Sequence, residues 1–308
     1  MSARPEEFEA YWQAIDEELS ALDGQPVAEP MPLHSSERFS VYALRLTSLG
    51  PYRIFGYLSV PTGDGPFPAL LEMPFYRSVN NVPNWNDRLR YVVLTVMHRG
   101  QRLADQPFSA SYPGLLTKGI EDKERFVYRG IVADCLRSAE YLRGRPEVDS
   151  ERMAVTGTEL AVLTAARRPY FRALEYTPEL FYRAMEARER TNAYPLEELN
   201  DYMRQSDANP AALERTLALY DPVHHAPNVR ATTVISFGDD ELDSQTWLAP
   251  LLDALGGPVE GYRRTYRSGE DADWVDACLA RMLGTEPMSR FEKKALAGHS
   301  LDGTNGAL

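Results

Sequence analysis

Apolar residues recur at spacings of three and four through residues 4–23, where Phe8, Tyr11, Trp12, Ile15, Leu19 and Leu22 predict an amphipathic helix. The proline-rich stretch 24–32 reads as a connection. The period then falls to two. Residues 39–48 and 52–60 alternate apolar and polar side chains, and the turn Leu49-Gly50-Pro51 between them predicts a hairpin. From Ala69 the pattern changes again. The short runs 69–73, 91–97, 153–157 and 231–237 are apolar on both faces, which suits central parallel strands. Helical patterns at 126–143, 246–255 and 272–283 alternate with them, and 261–267 reads as a last strand. Such alternation implies a mostly parallel sheet covered on both faces.

Three stretches stand outside this rhythm. Residues 74–87 form a polar and aromatic loop, and 99–121 a long irregular one of a length that is usually functional. Residues 171–220 read as helical throughout, an inserted cap. The expected organisation is one α/β domain over residues 1–283 with a helical cap at 171–220. The polar, glycine-containing residues 284–308 are expected to form a flexible tail.

Composition narrows the function classes. The 308 residues are 44% hydrophobic and 25% charged, enough for one large core. The net charge of −12 argues against nucleic acid or an anionic membrane surface as partner. No apolar run approaches the ~18 residues of a membrane span. The charged N-terminus has no signal-peptide pattern, so the cytoplasm is expected. Cys135 and Cys278 fall in helical patterns and are expected as buried reduced thiols. No C-x-x-C or His/Cys cluster suggests a metal, and no cofactor is expected.

The candidate chemistry centres on residues 152–166. A buried strand ends there on Gly157 and a helical pattern begins. The corner Gly157-Thr158-Glu159-Leu160-Ala161 occupies the place of a G-x-S-x-G nucleophile turn, without the serine and without the second glycine.

An ordered series of residues resembles the acetyl xylan esterases and cephalosporin C deacetylases, a carbohydrate-esterase branch of the α/β hydrolases. It includes Gly56-Tyr57-Leu58, Gly65-Pro66-Phe67-Pro68-Ala69-Leu70 and the R-G-Q motif Arg99-Gly100-Gln101. Pro113-Gly114, Thr117-Lys118-Gly119-Ile120, Tyr128-Arg129 and Asp134 follow in order. So do Arg145-Pro146-Glu147-Val148-Asp149-Ser150-Glu151-Arg152, Phe171-Arg172-Ala173-Leu174-Glu175 and Tyr220-Asp221-Pro222-Val223. The resemblance covers most of residues 5–283. It implies an α/β-hydrolase fold with an N-terminal antiparallel hairpin, and ester hydrolysis by a Ser-His-Asp triad with backbone oxyanion donors.

Carried over residue by residue, the resemblance puts the nucleophile at Glu159, the acid at Asp239 beside Asp240, and the histidine nearest Asp271. Only Asp239 keeps the family's residue type. The oxyanion donors would be the N–H groups of Tyr76 and Leu160, with Arg99, Gln101, Phe75 and Trp85 around the pocket. His34, His98, His224, His225 and His299 are weak substitutes for the base. After Gly157 the chain is shorter than the family pattern. Either a helix starts at Glu159 and the following strand is missing, or 160–165 is that strand and the helix is gone; the N-cap and Pro169 stop signals favour the first.

Loss of nucleophile and base together implies an inactive homologue used for binding or assembly, since either loss alone removes most of the rate. The alternative is a non-hydrolytic acid–base enzyme acting on a small molecule through Glu159, and residual deacetylase activity comes third. Against a catalytic Glu159 stands the plainer role of a first-turn carboxylate favoured by the helix dipole. Expected partners are a small-molecule ligand and a homo-oligomer or an intact paralogue; nucleic acid and membrane are not expected.

Overall fold

The computed structural model describes residues 3–289. The N-terminal helix α1 (Phe8–Ser20) buries Phe8, Tyr11, Trp12, Ile15 and Leu19, the face its spacing predicted. The Trp12 indole N–H donates to the Leu219 carbonyl at 3.1 Å, which ties this helix to a segment 207 positions along the chain. Strand β1 (Val27–Pro30) forms inside the stretch expected to be a connection. All four of its residues are exposed, so no apolar alternation announced it; pairing with the next strand alone defines it.

Strands β2 (Phe39–Ser48) and β3 (Tyr52–Pro61) make the predicted hairpin, in register from Phe39↔Pro61 to Ser48↔Tyr52. Then follow β4 (Phe67–Glu72), α2 (Trp85–Arg88), β5 (Val92–Met97), α3 (Val127–Arg143), β6 (Val148–Gly157), α4 (Glu159–Arg167) and β7 (Ala173–Tyr176). Short helices α5 (Ala184–Ala187), α6 (Glu197–Gln205), α7 (Pro210–Ala218) and α8 (Pro222–His225) precede β8 (Thr232–Phe237), α9 (Gln245–Ala254), β9 (Val259–Arg263) and α10 (Ser268–Leu283). Among the described residues the nine strands form one sheet in the order β1-β2-β3-β5-β4-β6-β7-β8-β9. It is antiparallel from β1 to β5 and parallel from β5 to β9.

Alternate residues of the central strands feed two cores, as a period of two requires. Met153 and Val155 of β6 join the large core that also holds residues of α1, α3, α4 and α9. Ala154, with Leu70, Val93, Ala173 and Val234, packs beneath Leu279, Met282 and Leu283 of α10. Cys135 and Cys278 are both buried and free.

Two expectations are corrected. The segment 171–220 is not helical throughout: β7 opens it, and residues 177–183 have no regular structure before α5. Nor is a strand missing after the corner. The helix of the first alternative forms, and β7 then pairs in parallel between β6 and β8, from Ala154↔Ala173 to Gly157↔Tyr176. The reason is dimensional. A nine-residue helix and a four-residue strand both span roughly 13 Å, so a short crossover still closes the βαβ unit. Four residues are too few for periodicity to separate strand from helix.

Candidate functional site

The corner after β6 depends on Gly157. Its φ is +139°, a conformation that side chains rarely adopt, and a Cβ there would lie 2.9 Å from the Cβ of Met73. The chain can therefore turn sharply against β4 and launch α4 with Glu159 in its first turn.

Glu159 is fully buried. Its Oε1 accepts the Tyr176 hydroxyl at 3.1 Å and the Glu179 N–H at 2.9 Å, and its Oε2 accepts the Leu180 N–H at 2.9 Å. Burial raises its pKa, against these same hydrogen bonds and that of its own N–H. The side chain at the nucleophile position thus pins the irregular segment that leads away from β7.

A second carboxyl sits beside it. Glu179 Oε2 accepts the N–H of Tyr76 at 2.8 Å, which is the first of the two expected oxyanion donors. Burial pushes the Glu179 carboxyl up to about 7; the Tyr76 N–H opposes this, the Glu159 charge adds to it, and Arg77 offsets part. A third acid, Asp221, accepts the N–H groups of Val223 at 3.1 Å and Arg183 at 3.2 Å, and burial pushes it up to about 6. The Tyr76 hydroxyl donates to Glu198, whose Oε1 accepts the N–H and hydroxyl of Thr117 at 3.1 and 3.2 Å. Sequence reasoning missed Glu179 and Glu198, and quoted Asp221 only as part of Tyr220-Asp221-Pro222-Val223. The signal for Glu179 was an ionisable residue inside the apolar stretch Tyr176–Tyr182, and the donors that reach these acids come largely from segments distant in sequence.

The raised acids predict a pH dependence. Glu179 has a folded pKa above its ordinary 4.5, so its stability contribution is full below 4.5 and is lost as pH rises to about 7. Asp221 acts likewise between 3.8 and about 6. Between about pH 5 and about pH 7.5 the melting temperature of Glu179→Gln should therefore fall less steeply than that of the wild type. Equal slopes by calorimetry would contradict this.

The other expected site residues lie apart. Asp239 is exposed, paired with Arg263 at 2.9 Å, and its N–H donates to the Tyr266 hydroxyl at 2.6 Å. Asp271 is not in a loop but in the first turn of α10. It accepts the Tyr262 hydroxyl at 2.8 Å and both the N–H and hydroxyl of Thr265, at 2.9 and 2.8 Å. Among the described residues, no hydrogen bond or ion pair joins Glu159 to Asp239 or Asp271. Leu160 is buried in the second position of α4. Arg99 forks onto Asp134 of α3, and Gln101 donates to the Ser78 carbonyl at 2.7 Å, so the R-G-Q residues hold loops together.

Trp85 stands edge-on to Phe39, with ring centroids 4.8 Å apart. It lies on α2, which precedes β5, and so at the opposite end of the parallel strands from the corner. Phe75 lines a separate cavity of about 320 Å³ with Glu72, Thr156, Glu175 and residues of α10. His98 and His225 are buried, and burial depresses their pKa values to about 4 and about 3. His98 bonds the Arg99 carbonyl, and His225 the Leu219 carbonyl. His224 packs on Phe8. His299 lies outside the described residues.

A cavity of about 570 Å³ opens directly on the corner, with Glu159, Glu179, Tyr182, Arg190, Tyr194 and Trp247 among its walls. That is the size of a small-molecule site. Among the described residues no group of three His, Cys, Asp or Glu side chains could hold a metal, and no helix is long and apolar enough to cross a membrane.

Comparisons with known proteins agree on the fold. The acetyl esterase Axe7A of Xylanibacter ruminicola is 24% identical over 254 residues, 76% of this chain. This chain spans only 56% of the length of that relative. Acetyl xylan esterase 1 from a Thermoanaerobacterium species superposes with a TM-score of 0.77 at 21% identity, covering 92% of this chain and 95% of that one. An acetyl xylan esterase from a Paenibacillus species gives 0.78 at 20% identity, covering 93% and 96%. These likenesses bear out the α/β-hydrolase fold. The family model for acetyl xylan esterase (AXE1) matches residues 1–244, and this chain accordingly belongs to the acetyl xylan esterase family.

Proposed function

We propose that this chain is a non-hydrolytic member of its family that uses the cavity above the β6–α4 corner to bind a small molecule. The observation that carries the reading is the state of the corner itself. Triad hydrolysis needs an accessible nucleophile, a base within reach of it, and free donors for the oxyanion. Here the residue at the nucleophile position is a buried carboxylate saturated by three donors, and the Tyr76 N–H is taken by Glu179. No described histidine bonds to any of these groups. The cavity remains open beside them.

Purified protein offered p-nitrophenyl acetate and acetylated xylo-oligosaccharides should release acetate at the background rate. Turnover that disappears in Glu159→Gln would overturn the reading. One observation favours a second one, a non-hydrolytic acid–base enzyme. Glu179 faces the cavity with a pKa of about 7, where a carboxyl can both give and take a proton at neutral pH. Conversion of a bound substrate with a pH–rate profile turning near about 7, lost in Glu179→Gln, would establish it.

A further inference from the structure

The charges lining the corner cavity are unbalanced. Five carboxyl groups line it: Glu159, Glu179, Asp240, Glu241 and Asp243. Glu241 pairs with Arg190 and Asp243 with Arg264. Among the described residues, no basic group lies within ion-pair distance of Glu159, Glu179 or Asp240. Glu159 is satisfied by neutral donors, but Glu179 uses only Oε2, for the Tyr76 N–H. Its Oε1 accepts no hydrogen bond from a described residue. A partly desolvated carboxyl with a spare oxygen, held next to a second carboxyl, favours whatever brings a positive charge to it.

The opposite wall suits the body of such a ligand. Tyr182, Tyr194 and Trp247 are aromatic, and the Trp247 ring already carries two cations. The Arg183 guanidinium lies 4.0 Å from the centre of the indole ring while it pairs with Glu186, and that of Arg190 lies 5.0 Å away while it pairs with Glu241. The cavity wall therefore shows, in the protein's own side chains, two examples of a cation seated between an aromatic ring and a carboxylate.

We propose that this cavity binds a small ligand carrying a primary ammonium group beside an apolar ring, the ammonium pairing with Glu179 Oε1 and the ring lying against the apolar wall of Tyr182, Tyr194 and Leu196. The inference rests on the reading of the cavity as a ligand site and adds the ligand's charge and shape. An anionic ligand, such as a carboxylate product, is disfavoured by Glu159 and Asp240. The groups that bear on Glu179 are Glu159 from α4, which raises its pKa, and Arg77 from the loop after β4, which lowers it. Because the ammonium pairs with the ionised form, binding should tighten as pH rises through the range where Glu179 loses its proton.

Isothermal titration calorimetry on the full chain tests this with three probes of one shape: benzylammonium, benzyl alcohol and benzoate. Benzylammonium should bind roughly tenfold tighter than the alcohol, with benzoate weakest, and its affinity should rise between about pH 6 and about pH 8. Glu179→Gln should remove most of the preference and the pH dependence while the alcohol binds as before. Asp240→Asn, an exposed change that keeps the fold, should lower the preference by a smaller factor. Equal affinity for ammonium and alcohol, a preference for benzoate, no binding of benzylammonium, or an undiminished preference in Glu179→Gln would each overturn the proposal. Acetate release above background would defeat the non-hydrolytic reading and leave this preference standing; equal binding of alcohol and ammonium would do the reverse.

Discussion

Glu159→Ala should destabilise the fold by about 3–5 kcal/mol, seen as a lower urea midpoint at unchanged slope. The carboxylate, itself fully buried, satisfies the N–H groups of Glu179 and Leu180 and the Tyr176 hydroxyl. A buried donor left without a partner costs about 1–3 kcal/mol, and three are exposed by the change. Relief of the carboxylate's own desolvation offsets part of this, which is why the expected loss stays below the sum. The family's residue is no better here. Glu159→Ser should be destabilised to a similar degree and should release no acetate, since a hydroxyl can reach at most part of the donor set and no histidine among the described residues bonds to this corner. A loss below about 1 kcal/mol in Glu159→Ala would mean that water replaces the carboxylate, and that the residue is not what holds segment 177–183.

Asp134→Ala should cost about as much, 3–5 kcal/mol on the usual scale for breaking a buried ion pair. Asp134 is fully buried on α3. It accepts three hydrogen bonds from Arg99: the main-chain N–H at 2.9 Å, Nε at 3.0 Å and Nη2 at 2.7 Å. The helix makes room for this fork by carrying Gly130, where a Cβ would stand 2.2 Å from the Arg99 Nη1. Removing the acid strands a guanidinium inside the protein and frees the start of the 99–121 loop. Arg99→Lys should recover little, because an ammonium cannot make the parallel pair of bonds. Urea unfolding of the three proteins checks the claim; a lysine variant as stable as the wild type would show that charge alone suffices. The pair also explains the most specific motif in the sequence. Arg99 and Gln101 brace the loop, and neither lines the corner cavity.

Much of the architecture is legible in the sequence. Trp12 and its neighbours at helical spacing, the alternating hairpin, and runs such as Val92–Met97 that are apolar on both faces each carry a local signature of how they are buried. Where that signature is absent the reading failed. β1 exposes all four residues, and β7 has only four. Both are strands because a neighbour pairs with them, which is a property of the assembled sheet.

The candidate site divides along the same line. The identity of the residue at the corner was plain in the sequence, as was the departure of that corner from a serine nucleophile. So was the type of the residues at 239 and 271. What the sequence left open was whether Glu159 faces the pocket as a working acid, starts a helix, or lies in a rebuilt strand. The tertiary structure decided it: the residue starts α4 and spends its oxygens on Tyr176, Glu179 and Leu180. It also brought Glu179 onto the Tyr76 N–H, 103 positions away. Periodicity records which face of an element meets the core, because that depends on neighbours within a few residues. The protonation, partners and accessibility of a buried carboxyl depend on main-chain groups delivered by distant segments, and these come together only when the chain is folded.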